Sequence, residues 1–424
     1  MAFALNSLDA FSSFRSACDG GKNAEDWGPR HAALACQISA TFCISAPTPL
    51  PHFQSQGSPG YPARQGLQAG FSSDRRGNPG QCHYASKGMD VSSFCRQSRV
   101  LIVAGKGGTG KTTVSGALAR MAADANLSVL LVDLEGKPGL NTAFGGAGPL
   151  DYEEAVLWPQ PSDPSSALEP GSFSGPGTIR ARRVTPDGAL LEYLADHRLE
   201  RASKRLLSAG VIDVVSTAIP GIRDVLVLGK VKQLERAEAA DLIIVDAPAT
   251  GHAVTFLTSA SGLLQAARGG PIRTQAEDVL EMLSDPARCQ VVLVTLPEEM
   301  PVNETIEAAY RLEDKADVQL GPVVVNCYDQ PSADLTVTSA EAAAEAGVTL
   351  DPGRLEAIDE ARLFRLRRQR LQAEQVERLG QELPLPQLYG PLMQTDAIGP
   401  DELQQLASAL ARDVARLTPD LVPT

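Results

Sequence analysis

The sequence predicts an α/β fold: a mostly parallel sheet flanked by helices on both faces, with a helical C-terminal part. Three observations predict it. Short, nearly continuous apolar runs alternate with helical stretches: RVLIVA (Arg99 to Ala104), SVLLVD (Ser128 to Asp133), QVVLVT (Gln290 to Thr295) and PVVVN (Pro322 to Asn326). Runs without polar alternation mark strands covered on both faces, the situation in a parallel sheet. Between the first run and the helical stretch Lys111 to Ala125 stands GKGGTGKTT, Gly105 to Thr113. A further run, Leu242 to Val245, ends in Asp246, at the strand end where such sheets place ligand chemistry.

Residues before Arg99 have a different character. They mix Ser, Gly, Pro and Gln without a sustained period, as in PTPLPHFQSQGSPGYP (Pro47 to Pro62), and read as unstructured. Residues 1–98 are expected to be either a disordered or targeting extension or a consequence of a mis-assigned start. Met89 is favoured as the true start, because Asp9, Asp19, Glu25 and Asp26 suit a transit peptide poorly. Residues 99–424 form the expected folded domain.

The first strand leads into the phosphate-binding pattern G-x-x-x-x-G-K-[ST], with Gly105, Gly110, Lys111 and Thr112 in register. This is the loop of a P-loop NTPase fold. Gly107, Gly108 and Gly110, with Thr109 among them, let the backbone turn its N–H groups inward around phosphate oxygens. Lys111 supplies a point charge for the β and γ phosphates, and Thr112, followed by Thr113, a hydroxyl for Mg²⁺. Strand, loop, helix and second strand together make a site for a nucleoside triphosphate.

After the second strand, VDLEGKPGLNTAF places Asp133 and Glu135 two apart. They share one side if the strand persists, and Glu135 would then position the attacking water; otherwise both are turn residues ahead of Gly136 and Pro138. Gly145 to Gly177, rich in Pro, Ser and Gly, reads as a long loop. Helical spacing follows in Ala189 to Ser208, a strand in Val211 to Thr217, and a helix in Pro220 to Glu235, whose Lys230 and Lys232 are expected on a solvated face. Asp246 can hold Mg²⁺ directly or through water, and Pro248, Thr250 and Gly251 make a turn that could sense the γ-phosphate. Asn326 either reads the adenine edge or forms a turn. A helix from Gly353 to about Leu379 carries an arginine cluster, expected to be stitched by pairs such as Asp359 with Arg362. Leu383 to Tyr389 reads as a last strand at a sheet edge, and Asp401 to Leu417 as the last helix.

Composition narrows the function classes. A net charge of −13 argues against a sequence-independent hold on nucleic acid. No apolar stretch approaches the roughly 18 to 20 residues of a membrane span, so a cytoplasmic protein without an integral membrane segment is expected. The seven cysteines contain no C-x-x-C pair and suggest unpaired thiols rather than a disulfide or zinc framework.

The loop KGGTGKTT, the segment VDAPATGH and the stretch TLPEEMPVNETIEAAYRL resemble, in order and spacing, the ArsA-like anion-transporting ATPases, within the class that includes MinD and ParA. The resemblance covers about Arg99 to Asn326. It implies an Mg²⁺-dependent ATPase that hydrolyses ATP at a nucleotide-dependent dimer interface, formed with an identical chain or a paralogue; an unidentified protein partner stays open. Lys106 is implied to reach the phosphates of the partner subunit, and Asp246 to be the second carboxylate associated with Mg²⁺. Gly251 and His252 would belong to a switch, and Asn326 would read adenine. Glu135 stands where the family usually has aspartate. The single phosphate loop, the scarce core cysteines and the absence of a C-x-x-C clamp depart from the arsenite pump and from tail-anchored-protein targeting. The alternatives are a nucleotide-gated binding protein with little turnover and a metalloid (arsenite) efflux accessory.

Overall fold

The structure is a computed structural model, which describes residues 88–159, 175–196, 221–266 and 269–417. All of them fall within the unit Gln81–Thr424. Eight strands form one sheet in the order β3-β4-β2-β5-β1-β6-β7-β8. In chain order they are β1 (Val100–Gly105), β2 (Val129–Asp133), β3 (Ala155–Trp158), β4 (Ile179–Arg183), β5 (Leu242–Ala249), β6 (Cys289–Thr295), β7 (Leu320–Tyr328) and β8 (Gln387–Pro391). Every pairing is parallel except β3 with β4. The expected mostly parallel sheet is borne out, and its central strand, β1, is the one that feeds the glycine loop.

Two layers of helices cover the sheet because β1, β2, β5, β6 and β7 are apolar on both sides. One face packs Ile102, Val132, Val245 and Val325 against α5 (Ile222–Arg236), α6 (Thr250–Ala266), α7 (Pro271–Ser284) and α8 (Glu299–Ala316). The other packs Val103, Leu131, Ile244 and Val324 against α2 (Lys111–Asp124) and α11 (Pro400–Val414). The remaining helices are α1 (Val91–Cys95), α3 (Gly139–Ala143), α4 (Pro186–Asp196), α9 (Ser339–Glu345) and α10 (Pro352–Glu382). Among the described residues no helix is long and apolar enough to cross a membrane.

Several local expectations change. Structure begins ahead of residue 99: Asp90 caps α1 by accepting from the Ser93 N–H, and Met89, Phe94 and Cys95 are buried in the α2 face of the core. The stretch 145–177 is not loop throughout, because β3 lies in it and pairs with β4. β4 itself, IRARR, does not look like a core strand. Arg180 and Arg182 are neutralised by Glu154 and Glu192, while Ile179 and Ala181 are buried. Lys230 and Lys232 are not solvated: Lys232 is 7 % exposed and holds Asp278 at 2.7 Å, and Lys230 holds Glu192 at 2.5 Å. These pairs tie α5 to α7 and α4. The expected strand Val211 to Thr217 lies outside the described residues. β8 stands at the sheet edge as expected, and Asp359 does pair with Arg362, at 2.8 Å.

Candidate nucleotide site

The site is assembled at the C-terminal ends of β1, β2, β5 and β7. Residues Lys106 to Gly110 leave β1 and enter α2 with Gly108 at φ 90° and Gly110 at φ 85°, a region costly for any side chain. A Cβ on Gly108 would meet no atom within 4 Å, so that turn borders open space. A Cβ on Gly110 would stand 2.3 Å from Asn326 Nδ2, so there the backbone is pressed against β7. α2 starts at Lys111 without any side-chain cap. Its first N–H groups, with the positive end of the helix dipole, are left to an anion. Thr109 closes the loop on itself, its hydroxyl donating to the Lys106 carbonyl at 2.9 Å.

Asn326 is 5 % exposed, and its amide donates to the Thr109 carbonyl at 2.9 Å. The side chain that the sequence suggested for base reading or for a turn thus holds the phosphate loop onto β7. The next residue, Cys327, has φ 55°, uncommon for a non-glycine residue, and it lies where the β7–β8 register shifts between Val325 and Tyr328.

Lys111 is 7 % exposed and its ammonium makes no hydrogen bond or ion pair among the described residues. Beside it, Thr112 donates to Asp246 at 2.7 Å and Ser115 to the same carboxylate at 3.1 Å. Asp246 is 2 % exposed, and burial pushes its carboxyl up to about 6. Asp133 is its partner in the β2–β5 register and points to the same α2 face. One oxygen of Asp133 accepts the N–H groups of Glu135 and Gly136 at 2.9 and 3.0 Å; the other is buried without a hydrogen-bond partner. Burial also raises the Asp133 carboxyl. Hard oxygen donors and an orphaned carboxylate oxygen fit a divalent cation of the Mg²⁺ type. Among the described residues no group of three or more His, Cys, Asp or Glu could cage a metal. A cation here would therefore complete its shell with phosphate oxygens and water, as Mg²⁺ usually does.

Glu135 and Asp133 do not share a strand face, because β2 ends at Asp133 and Glu135 lies in the turn that Asp133 caps. The Glu135 carboxylate forms an ion pair with Lys137, a partner that the sequence reading missed although it stands two residues away. Arg183, at the end of β4, lies against this turn: a Cβ on Gly136 would be 2.3 Å from its Cζ. Lys106 is turned onto its own chain, its ammonium 2.5 Å from Glu304 of α8. Gly107 is exposed, and Thr113 lies in the first turn of α2. Gly251 and His252 open α6, but their side chains lie outside the described residues.

The nucleotide-binding domain common to CobQ, CobB, MinD and ParA matches residues 100–347. The chain belongs to that family. Its relatives include the ATPase BagA of Mycobacterium tuberculosis, 35 % identical over 235 residues, 54 % of this chain and 64 % of that protein. A Halobacterium salinarum protein provisionally named an arsenical pump-driving ATPase is 24 % identical over 329 residues, 74 % of this chain and 44 % of its own. The ATPase get3 of Schizosaccharomyces japonicus is 28 % identical over 188 residues, 42 % and 52 % respectively. The resemblance to ArsA-like ATPases is borne out by these relatives. The chain spans about 64 % of the length of the mycobacterial relatives it matches.

Proposed function

We propose that the chain is an Mg²⁺-dependent ATP hydrolase of the cytoplasm, whose loop binds the triphosphate and whose turnover drives a switch between two associated subunits. The observation that carries this reading is the convergence of the uncapped α2 N-terminus, the buried Lys111 without a partner among the described residues, and the Thr112–Asp246 pair. Lys111 would neutralise the β and γ phosphates, while Thr112, Asp246 and the free oxygen of Asp133 would hold Mg²⁺ and its water. Bound there, Mg²⁺ would supply charge neutralisation to the phosphates. Glu135 would orient the attacking water once its carboxylate leaves Lys137. Lys106 would leave Glu304 to reach the phosphates of a second subunit, an identical chain or a paralogue. The family's names for BagA, get3 and the halobacterial relative support ATP as the nucleotide.

A second reading is a nucleotide-gated binding protein with little turnover. The Glu135–Lys137 ion pair favours it, because a neutralised carboxylate attracts and orients water poorly. A metalloid role finds little support: soft metalloids need converging thiolates, yet Cys95 and Cys289 lie on opposite faces of the sheet, and burial pushes both thiols up to about 12. Phosphate release by the purified full chain separates the first two readings. Hydrolysis that depends on Mg²⁺ and is lost in Lys111→Ala supports the ATPase; tight nucleotide binding without release supports the gated binder.

A further inference from the structure

Exposed apolar surface is concentrated in one segment. Of the eight large hydrophobic side chains exposed among the described residues, six lie between 337 and 371: Val337, Val348, Ile358, Leu363, Phe364 and Leu371. This stretch, α9 and the first two thirds of α10, joins β7 to β8. Phe364 and Leu371 are 59 % and 61 % exposed and stand seven residues apart, so they share one helix face with Arg367 and Arg368 between them. Arg362, Arg365 and Arg370 are paired with Asp359, Asp329 and Glu374. Arg367 and Arg368 form no ion pair among the described residues.

The other two exposed hydrophobics, Met300 and Tyr310, lie on α8 and have acidic neighbours. Glu299, Glu304 and Glu307 flank Met300 on the outer face of that helix, with Glu307 paired to Arg311 one turn on at 2.7 Å and Glu299 in no ion pair among the described residues. Glu304 is also the residue that holds Lys106, so this acidic, apolar strip is continuous with the lysine proposed to cross between subunits.

The basic strip is held firmly. Arg365 grips Asp329 through two bonds of 2.7 and 2.8 Å, the Gln369 amide donates to the Gln330 carbonyl at 3.1 Å, and the Asp329 N–H donates to Gln372 at 3.1 Å. Asp329, Gln369 and Gln372 are buried. Asp329 follows Asn326, the anchor of the phosphate loop, by three residues. An ordered helix presenting apolar side chains pays little ordering entropy on docking.

We propose that the basic, apolar face of α10 docks on the acidic, apolar face of α8 of a second copy of this chain. Two-fold symmetry makes the contact twice, each copy offering both strips. Copies with a net charge of −13 repel one another at long range, and the contact sets the unpaired arginines of one copy against Glu299 of the other, and against Glu304 once Lys106 leaves it. The inference rests on the reading of the nucleotide site as shared between two subunits.

Light scattering of the full chain with Mg²⁺ and a non-hydrolysable ATP analogue tests it. The wild type is expected to be a dimer. Phe364→Glu with Leu371→Glu should be monomeric, with association at least tenfold weaker, while calorimetry shows unchanged analogue uptake per chain. Arg367→Glu with Arg368→Glu should weaken association, and adding Glu299→Lys should restore part of it. A wild-type dimer that the Phe364 and Leu371 substitutions leave intact overturns this docking and leaves the shared site standing. A wild type that is monomeric with the analogue and with ADP removes the shared site itself, and this inference with it.

Discussion

Replacing Asn326 by Ala removes the side chain that fastens the phosphate loop to β7. The bond to the Thr109 carbonyl is 2.9 Å long, and Asn326 and Thr109 are 5 % and 1 % exposed. Water cannot readily replace the lost donor, so the carbonyl is left unsatisfied at a cost of about 1–3 kcal/mol. In a domain of this size each kcal/mol lowers Tm by about 2–4 °C. A loss of roughly 2 kcal/mol should therefore lower the Tm of the nucleotide-free full chain by about 4–8 °C. Asn326→Asp should lose more, since a carboxylate faces the same carbonyl. Thermal unfolding followed by circular dichroism, with and without nucleotide, reads the effect directly. The loop-anchor argument is refuted if Asn326→Ala melts with the wild type while affinity falls for adenine nucleotides alone; the side chain would then act only on the base.

Two further substitutions probe the same site. Burial raises the Asp246 carboxyl from 3.8 to about 6, so the folded chain keeps a proton that the unfolded chain has lost. Stability should then fall as pH rises from about 4 to about 6 and stay low above it, by up to about 3 kcal/mol. Asp246→Asn should flatten that part of the pH profile and stabilise the nucleotide-free chain at pH 7.5, yet abolish the extra thermal stabilisation that Mg²⁺ adds to nucleotide. An unchanged profile in urea titrations across this range would contradict it. Glu304→Gln should free Lys106; the pair is about one-third exposed, so the gain in association with the ATP analogue should be at most about fivefold, or about 1 kcal/mol. No change in the dimer dissociation constant would show that the pair does not restrain Lys106.

The unit from β1 through β2 was legible because its strands are apolar on both sides and its glycines sit where a turn needs positive φ. The same holds for β5, β6 and β7, and for the edge position of β8, with Pro384 and Pro386 just ahead of it and Pro391 at its end. β4 was not legible. Its arginines disguise a strand whose neutralising carboxylates come from Glu154 and Glu192, outside the strand. β3 was hidden in a Pro- and Gly-rich stretch because four residues are too few to show a period. Within the site, the Thr112–Asp246 meeting follows from strand and helix order. The Asn326–Thr109 bond spans 217 positions and depends on β6 and β7 register, which no local pattern encodes. The Lys106–Glu304 pair is equally a tertiary fact, whereas Glu135–Lys137 is open to a local reading once β2 ends at Asp133 and both residues fall in the turn ahead of Pro138.

Titration calorimetry of the full chain with a non-hydrolysable ATP analogue and Mg²⁺ tests the nucleotide site most directly. Saturable uptake of one analogue per chain, lost in Lys111→Ala, is the expected result. Absence of uptake by the wild type, or uptake undiminished by Lys111→Ala, would contradict the account.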